Sequence, residues 1–375
     1  MYDCIIIGLG AMGSASLFEL SSRTQNVLGI EQFNIGHENG SSHGLSRVIR
    51  LAYHEGLEYV PLVLRAHDRW LELEKIYKEK LLNITGCLDI GLENSDIVTG
   101  SIKACDEFDI PHEIFRGTEL SEKFPAYLLS EEYFGVFQKD GGFLLPESCI
   151  KMYVKESINN GADVKQNCKV LGWKSDDNIV NISTSDGDFQ TKKLVITTGA
   201  WTGILENEIS SILTPERQVV SWFKPDNPEH YNIDNFPVFN MKVPEGHYYG
   251  FPIHHYEGMK IGRFGHLKEQ IDPDLINREI NELDISTLRV PMEKYFKPTN
   301  PEPLFSQVCM FTNTPDAHFV LDYLPRHDNV FIACGFSGHG FKFASVIGEI
   351  ISDLIVDGAT EFDLGLFSLN RFNSK

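Results

Sequence analysis

The sequence lacks long apolar runs and an excess of positive charge, and each absence excludes a class of partner. No apolar run approaches the roughly 20 residues of a membrane-spanning helix. The 33 lysine and arginine residues are outnumbered by 53 aspartate and glutamate residues, for a formal net charge of −20. Such an acidic chain repels nucleic acid and anionic membranes. We therefore expect neither partner, and a carboxylate ligand would need locally clustered cations.

Paired metal-binding and disulfide motifs are also missing. The seven cysteines are odd in number and lack CxxC spacing, and no HExxH pattern occurs. Zinc sites and disulfide frameworks usually depend on such spacings. We therefore expect free thiols and no metal site. Because the sequence begins on a strand pattern without a charged leader, we also expect a cytoplasmic protein.

The first 31 residues carry the pattern around which the chain is organised. Residues 3–7 form a short β-branched apolar run, which predicts a buried strand and leads directly into Gly8. Helical spacing of apolar residues follows over 11–20, and residues 27–30 predict a second buried strand that ends on Glu31. This order of strand, glycine turn, helix, strand and acidic residue is the dinucleotide-binding fingerprint.

Each part of the fingerprint has a physical role. Gly8 permits the tight turn, Gly10 lets the backbone approach a pyrophosphate, and Gly13 lets the helix pack on its strands. The helix N-terminus at Ala11 and Met12 offers N–H groups to the phosphates. The acidic residue at the end of the second strand favours FAD or NAD over NADP. The alternative is a glycine-rich turn without a ligand.

Several later segments could contribute to the same site. Arg47 and Arg50 follow a Gly-, Ser- and Asn-rich loop, and they are either solvated or in contact with an anion. Lys260 alternates with apolar residues on a predicted strand over 259–264, so it faces either solvent or a pocket. Residues 194–201 predict a strand that ends in a turn of small residues, either a cofactor contact or an ordinary connection.

A second glycine-rich turn precedes the last predicted helix. A buried strand over 330–334 leads into residues 335–342, which include His339 and Lys342. Apolar residues then recur at helical spacing from Phe343. The partial positive charge of that helix end, with a nearby cation, suits a flavin ring or a carboxylate. The alternative is a glycine cap before a core helix.

Taken together, these residues resemble the family of monomeric sarcosine oxidases and N-methyl-L-tryptophan oxidases, within the D-amino-acid-oxidase-like flavoproteins. The resemblance covers nearly the whole chain. The segments that carry it are 39–44, 52–56, 59–62, 248–252, 259–262, 308–312 and 336–343, with Arg47 and Arg50.

The resemblance implies a covalently attached FAD. A family cysteine that bonds to the flavin 8α-methyl group corresponds to Cys309, although from its sequence alone this residue looks like a small buried side chain. The other implied or predicted cofactor contacts are Gly8, Gly10, Ala11, Met12, Gly13, Glu31, Ser41, Ser46, Arg47, Thr198, Gly199, Trp201, Gly338, Gly340 and Lys342.

The resemblance also implies catalytic roles. Arg50 and Lys342 correspond to the pair that binds the substrate carboxylate, and Lys260 to the lysine that activates oxygen at the flavin. His339 corresponds to a flavin-side histidine and Tyr249 to an active-site tyrosine. The flavin ring is therefore expected between Lys260 and the Arg50–Lys342 pair.

The sequence departs from the family at two places near the expected substrate. The family histidine four residues after the oxygen-activating lysine is replaced by Phe264, and His266 lies two residues further on. Contacts to the substrate amine are therefore open. Asn240 or Met241 falls where some members place a methionine over the substrate.

The implied fold is α/β, or α+β overall, with a Rossmann-like FAD-binding domain and a second mixed-sheet substrate domain. A length of 375 residues is compatible with two domains. We expect the discontinuous ranges 1–83, 141–214 and 304–375 to form the FAD-binding domain. Residues 84–140 and 215–303 are expected to form the substrate domain.

The implied function is oxidation of an N-methyl amino acid to the amino acid, formaldehyde and hydrogen peroxide, by a monomer that uses a secondary amine and oxygen. Segments 338–350 and 321–329 resemble the N-methyltryptophan branch and segment 270–278 the sarcosine branch, so the expected substrate is N-methyl-L-tryptophan, with sarcosine as the alternative. Three rival classes are a flavin dehydrogenase with a protein electron acceptor, an NAD-dependent dehydrogenase and a non-catalytic flavin-binding module. Absence of a second GxGxxG argues against NADH as reductant.

Overall fold

A computed structural model describes residues 1–176 and 178–372. Its helices are α1 (Ala11–Ser21), α2 (Tyr59–Tyr77), α3 (Asp96–Glu107), α4 (Gly117–Lys123), α5 (Pro146–Asn159), α6 (Thr202–Leu205), α7 (Glu282–Tyr295) and α8 (Ala344–Val356). Its strands are β1 (Tyr2–Ile7), β2 (Val27–Ile30), β3 (Arg47–Ile49), β4 (Leu82–Ile84), β5 (Cys87–Leu92), β6 (Glu113–Arg116), β7 (Tyr133–Gln138), β8 (Gly142–Leu144), β9 (Asp163–Lys165), β10 (Val170–Ser175), β11 (Val180–Thr184), β12 (Gly187–Ile196), β13 (Thr214–Pro225), β14 (Val238–Val243), β15 (Gly246–Phe251), β16 (Met259–Arg263), β17 (Thr299–Asn313), β18 (Val320–Tyr323) and β19 (Val330–Cys334).

The first large sheet has the parallel centre that the N-terminal pattern predicts. Its order is β10-β11-β12-β1-β2-β9, with β19 paired to β12 and β18 to β19. Strand β1 runs parallel to both β12 and β2, and Ile5 and Ile6 in it are fully buried. Helix α1 packs against α5 and α8. The carboxyl ends of β1, β2 and β12 therefore meet at one edge, which is where ligands bind in such sheets.

The second large sheet carries side chains towards that edge. Its order is β17-β13-β16-β15-β14-β5-β7-β6, and β13 pairs with β17 along almost its entire length. Helix α7 packs against β13, β16 and β17. Strands β14 to β17 supply four candidate residues, which are Asn240, Tyr249, Lys260 and Cys309. The remaining strands, β3, β8 and β4, form a small sheet of their own.

The predicted α/β architecture is confirmed, and the differences concern element boundaries. The apolar pattern over residues 84–91 predicts one strand, but the structure has two, because the chain turns at Gly86, where φ is +75°. Pro61 predicts the start of a helix, and that helix begins at Tyr59, which places the proline in the first turn. Strand β12 ends at Ile196, and a 3₁₀ turn over Gly199–Trp201 follows.

Candidate functional site

A cavity of about 320 Å³ opens at the carboxyl ends of β1 and β2. Most of the expected cofactor residues line it. Gly13 and Ser46 are not among the lining residues, and Cys309 and Lys342 line a second cavity instead. The expected residues on the wall of the larger cavity are Gly8, Gly10, Ala11, Met12, Glu31, Ser41, Arg47, Thr198, Gly199, Trp201, Gly338 and Gly340.

The glycines of the first turn have the roles that the fingerprint predicts. Gly8 has φ +88°, and an added Cβ would lie 2.7 Å from the Thr197 carbonyl oxygen. A Cβ on Gly13 would lie 1.8 Å from the carbonyl oxygen of Gly8, so only glycine allows α1 to begin this close to β1. At Gly10 the nearest atom to an added Cβ is Ser42 Oγ at 3.6 Å. The turn therefore leaves space beside Gly10 for a ligand.

Glu31 is a fixed acceptor at the end of β2. Its Oε2 accepts a hydrogen bond from the Leu9 N–H at 2.8 Å, and its Oε1 accepts one from the Phe33 N–H at 3.0 Å. Nε2 of His37 lies 3.4 Å from Oε1. The side chain is buried but lines the larger cavity. Each carboxylate oxygen keeps a further lone pair, so the group can also accept from a ribose hydroxyl.

A smaller cavity of about 80 Å³ adjoins the larger one. Arg47, Phe311, Gly338 and Phe341 line both cavities, so the two spaces share a wall. The predicted catalytic residues Arg50, Tyr249, His339 and Lys342 all line the smaller cavity. The geometry thus brings the expected substrate-binding residues next to the expected cofactor site.

Arg50 and Lys342 lie on either side of one tyrosine. The Arg50 guanidinium lies 4.3 Å from the centre of the Tyr53 ring and pairs with Glu55. Nζ of Lys342 lies 3.4 Å from the Tyr53 hydroxyl and donates to the His339 carbonyl at 2.6 Å. Both cations are at least 95% buried. A negatively charged ligand in this cavity would meet two cations that are shielded from water.

Burial and neighbouring charges set the ionisation of this group. Burial, followed by the charge of Arg50, lowers the pKa of Lys342 to about 7. Burial opposes the ionisation of Glu55, but Arg50 and then His54 hold the pKa of that carboxyl well below its usual range. Lys342 is therefore the cation of this cavity that loses its charge near neutral pH.

Lys260 is buried, which excludes the alternative that its side chain faces solvent. Its Nζ donates to the Gly44 carbonyl at 2.6 Å, and to the carbonyl and hydroxyl oxygens of Ser46, both at 3.1 Å. It also lies 4.6 Å from the centre of the Phe251 ring. Burial, with the Arg47 charge, lowers its pKa well below the usual value. Lys260 lines neither cavity itself, but Gly44 and Phe251 line the smaller one.

Cys309 lies where the two cavities meet. Its Sγ is 3.6 Å from Nη2 of Arg47 and 3.8 Å from the Ser41 carbonyl oxygen. Arg47 and Ser41 line the larger cavity, and Cys309 lines the smaller one. The thiol is 5% exposed and forms no disulfide. A group bound across both cavities would therefore pass this sulfur.

His339 and Tyr249 are held in fixed orientations. Nδ1 of His339 is 2.6 Å from the Tyr53 hydroxyl, and Nε2 is 3.0 Å from the Ala317 carbonyl oxygen. Burial lowers the pKa of His339 to about 4, so the ring is neutral. The Tyr249 hydroxyl lies 2.5 Å from where a Cβ on Gly262 would be, so that glycine makes room for the tyrosine. Burial raises the pKa of Tyr249.

At both places where the sequence departs from the family, one of the two residues lines the smaller cavity and the other does not. Phe264 lines the smaller cavity, whereas His266 belongs to a buried cluster in which its Nε2 lies 3.0 Å from Asp284 Oδ1. His266 therefore does not replace the missing histidine. Asn240 lines the cavity, and Met241 packs in the hydrophobic core of the second sheet.

Four polar residues that line the smaller cavity were not predicted from the sequence, and they are His43, Glu55, His247 and Gln307. Glu55 pairs with Arg50, and His43 has two ring nitrogens without a hydrogen-bond partner in the described structure. Burial lowers the pKa of His43 to about 4. His247 lies two residues before Tyr249 on β15, so both side chains share one face of the strand. That spacing was a signal for His247.

Membrane-spanning helices and metal-binding clusters are absent from the described residues. No helix within residues 1–176 and 178–372 is both long and apolar enough to cross a membrane. The same residues contain no group of three histidine, cysteine, aspartate or glutamate side chains that could hold a metal ion.

Known proteins are similar to this chain over almost its whole length. The profile of the family described as FAD dependent oxidoreductase matches residues 3–354. A monomeric sarcosine oxidase from Arthrobacter sp. is 40% identical over 99% of this chain and 96% of its own length. An N-methyl-L-tryptophan oxidase from Escherichia coli is 35% identical over 99% of both chains.

A solved structure supports the fold alone. The L-proline dehydrogenase from P. horikoshii is similar with a TM-score of 0.83 at 21% identity. The match covers 99% of this chain and 98% of the other.

Proposed function

Because the chain belongs to the FAD-dependent oxidoreductase family, we propose that it is an oxidase of small N-methyl amino acids. The observation that carries this proposal is the smaller cavity, where Arg50 and Lys342 lie beside the wall shared with the cofactor cavity. Two buried cations in a chain of net charge −20 suit a substrate carboxylate. Loss of two electrons and a proton from the N-methyl group gives an iminium ion, which water hydrolyses to the amino acid and formaldehyde with release of a proton.

The residues present fit the cofactor that the family uses. The open side of Gly10 and the fixed carboxylate of Glu31 suit the pyrophosphate and a ribose of a dinucleotide. FAD, when bound, supplies the two-electron acceptor, and oxygen takes up those electrons to give hydrogen peroxide. The flavin ring would extend towards Cys309 and the smaller cavity, which places the reacting carbon beside it.

We propose a covalent bond between Cys309 Sγ and the flavin 8α-methyl group. Its position between the two cavities supports this attachment. The thiol and the methyl group each lose one hydrogen, and oxygen accepts both to give hydrogen peroxide. In the wild type, acid precipitation should leave the yellow colour in the pellet, and in Cys309→Ser the colour should appear in the supernatant. Colour that leaves the wild-type protein would contradict covalent attachment.

Sarcosine is the substrate that we propose first. The smaller cavity, at about 80 Å³, is lined by bulky residues such as Phe264 and Phe251, so it suits a substrate without a large side chain. The higher identity to a sarcosine oxidase also favours sarcosine over N-methyltryptophan, towards which the sequence segments leaned slightly. Peroxide release should give a higher kcat/KM for sarcosine than for N-methyl-L-tryptophan. The opposite order would contradict this choice.

Arg50 and Lys342 are proposed to bind the carboxylate. Replacing Arg50 by Met should raise the KM for sarcosine about 100-fold, because a charged hydrogen bond is lost and Glu55 is left to repel the substrate. Arg65, which pairs with Glu349 away from both cavities, provides a matched control as Arg65→Met. An unchanged KM in Arg50→Met would contradict the assignment.

The remaining proposals concern the molecule as a whole. We propose a cytoplasmic monomer with a chain mass of 42.4 kDa, which light scattering can measure. We also propose residues 1–83, 141–214 and 304–375 as the FAD-binding domain, with 84–140 and 215–303 as the substrate domain. Within this division β17 pairs with β13 and so joins the two parts.

A further inference from the structure

One wall of the smaller cavity is formed by three residues on or next to the neighbouring strands β14, β15 and β16. Asn240 lies on β14, His247 on β15 and Phe264 directly after β16, and all three line the cavity. The rings of His247 and Phe264 pack against each other with centres 5.4 Å apart and planes tilted by 31°. The backbone N–H of Phe264 donates to the His247 carbonyl at 2.7 Å, which holds the two residues together.

The hydrogen bonds of this wall fix the tautomer of His247. Nδ2 of Asn240 donates to Asp89 Oδ1 at 3.0 Å, so the amide oxygen Oδ1 is turned towards His247. That oxygen can only accept, and it lies within hydrogen-bond distance of Nε2 of His247. Nε2 therefore carries the hydrogen, and Nδ1 is left with a lone pair.

Nδ1 of His247 is a neutral acceptor that remains available. Within the described part of the chain it has no hydrogen-bond partner, whereas both nitrogens of His339 are engaged. Glu55 on the same cavity is already paired with Arg50. Burial lowers the pKa of His247 to about 4, with Glu55 opposing and Arg50 assisting, so the ring is uncharged at neutral pH.

We infer that Nδ1 of His247 accepts the N–H hydrogen bond of the substrate amine while Arg50 and Lys342 bind its carboxylate. This inference rests on the proposed function, because it requires an amino acid in the smaller cavity. A neutral secondary amine has one N–H and one lone pair. Fixing the N–H therefore sets the direction of the lone pair, which must assist as the neighbouring C–H bond breaks.

Two carboxylates that differ only in a hydrogen-bond donor test the inference. Pyrrole-2-carboxylate presents an N–H where furan-2-carboxylate presents an oxygen, and both are titrated against the flavin absorbance of the holoenzyme. His247→Phe keeps a ring against Phe264 but removes the acceptor. We expect about a tenfold loss of affinity for pyrrole-2-carboxylate and an unchanged affinity for furan-2-carboxylate. Equal changes for both ligands, or no change for either, would overturn the inference.

A control variant and the wild type separate the possible failures. His112 lies outside both cavities, where Nδ1 is within hydrogen-bond distance of the Ile110 carbonyl and Nε2 lies 3.9 Å from Asp106, so His112→Leu should leave both affinities unchanged. If the wild type binds neither carboxylate, the carboxylate site itself is wrong and the proposed function fails with it. If the wild type binds both carboxylates but His247→Phe shows no selective loss of affinity for pyrrole-2-carboxylate, the proposed function stands and the role assigned to His247 is wrong.

Discussion

Lys342 is a cation of the smaller cavity whose charge changes near neutral pH. Burial and Arg50 lower its pKa to about 7, so it is charged below that pH and neutral above it. The affinity for furan-2-carboxylate should therefore be high below neutral pH and should weaken as pH rises through about 7. Titration of flavin absorbance at a series of pH values measures this dependence.

A substitution identifies the group responsible. Lys342→Met should weaken the binding at low pH and remove most of the decline around neutral pH. Lys155→Met, on the exposed side of α5, is the matched lysine control and should keep the wild-type profile. A decline that persists in Lys342→Met would mean that another group titrates.

Lys260 offers a test of the oxidase assignment against a flavin dehydrogenase. A cation at this position is expected to stabilise negative charge on oxygen as oxygen is reduced. Lys260→Met should therefore slow flavin reoxidation by oxygen about 100-fold and leave flavin reduction by sarcosine within a few-fold. Anaerobic stopped-flow measurements separate the two steps. Equal slowing of both steps would indicate that Lys260 only holds the loop at Gly44 and Ser46.

At the scale of residues, the sequence indicated which residues are candidates for the site better than it indicated their burial and their hydrogen-bond partners. Arg50 and Lys342 were found through a resemblance and through the scarcity of positive charge. The burial of Lys260 was not predictable, since alternation on a strand distinguishes two faces without saying which faces solvent. The role of His247 depends on Asn240 and on Asp89, which lies 151 positions before Asn240. Such partners become neighbours only when the strands pair.

At the scale of elements, the first turn depends on the absence of one side chain. Gly13→Ala would place a Cβ 1.8 Å from a backbone oxygen, which no rotamer change can relieve. We expect a loss of about 3 kcal/mol in the free energy of unfolding, with less FAD incorporated into the protein. Gly172→Ala is the control, because nothing lies within 4 Å of its added Cβ. Equal thermal denaturation midpoints for the two variants would contradict this account.

A buried ion pair between β13 and α7 should make the free energy of unfolding depend on pH in the acid range. Arg217 donates to both carboxylate oxygens of Asp284, which is fully buried. Burial opposes ionisation, but Arg217 lowers the pKa of Asp284 below its usual value. The contribution of this pair is therefore present above the unfolded pKa of about 3.9 and is lost as pH falls through the folded value.

The prediction is a loss of about 3–5 kcal/mol in the free energy of unfolding for Asp284→Ala, because the buried Arg217 would keep only two carbonyl hydrogen bonds and a longer 3.8 Å contact with Glu269. Urea unfolding at neutral pH measures this loss, which should shrink at acid pH. Asp96→Asn, which breaks an exposed pair with Lys242, should cost less than about 1 kcal/mol. A cost for Asp284→Ala no larger than that of the control would refute the assignment.

Elements were predicted where one pattern dominated. The parallel strands β1, β2 and β19 each contain an uninterrupted apolar run of at least four residues, and α8 has strict helical spacing, so each was recognised. The division between β4 and β5 was missed, because the apolar pattern continues across the turn at Gly86. Helix α2 began two residues before its proline, since proline is tolerated anywhere in the first turn.

At the scale of the whole molecule, the resemblance predicted the fold class and the family, but it did not predict the volume of the smaller cavity. That cavity is lined by residues within the ranges 43–55, 240–264, 307–311 and 338–342, together with Val220, and these parts are distant from one another in the chain. Its volume depends on how these parts pack, and local patterns do not report packing.

The central claim is that this chain oxidises an N-methyl amino acid at a flavin held beside Arg50 and Lys342. The most direct measurement is the flavin absorbance of the purified protein when sarcosine is added without oxygen. The account predicts that the yellow colour bleaches, and that it returns in air with release of hydrogen peroxide. A yellow protein that keeps its colour with both sarcosine and N-methyl-L-tryptophan would contradict it.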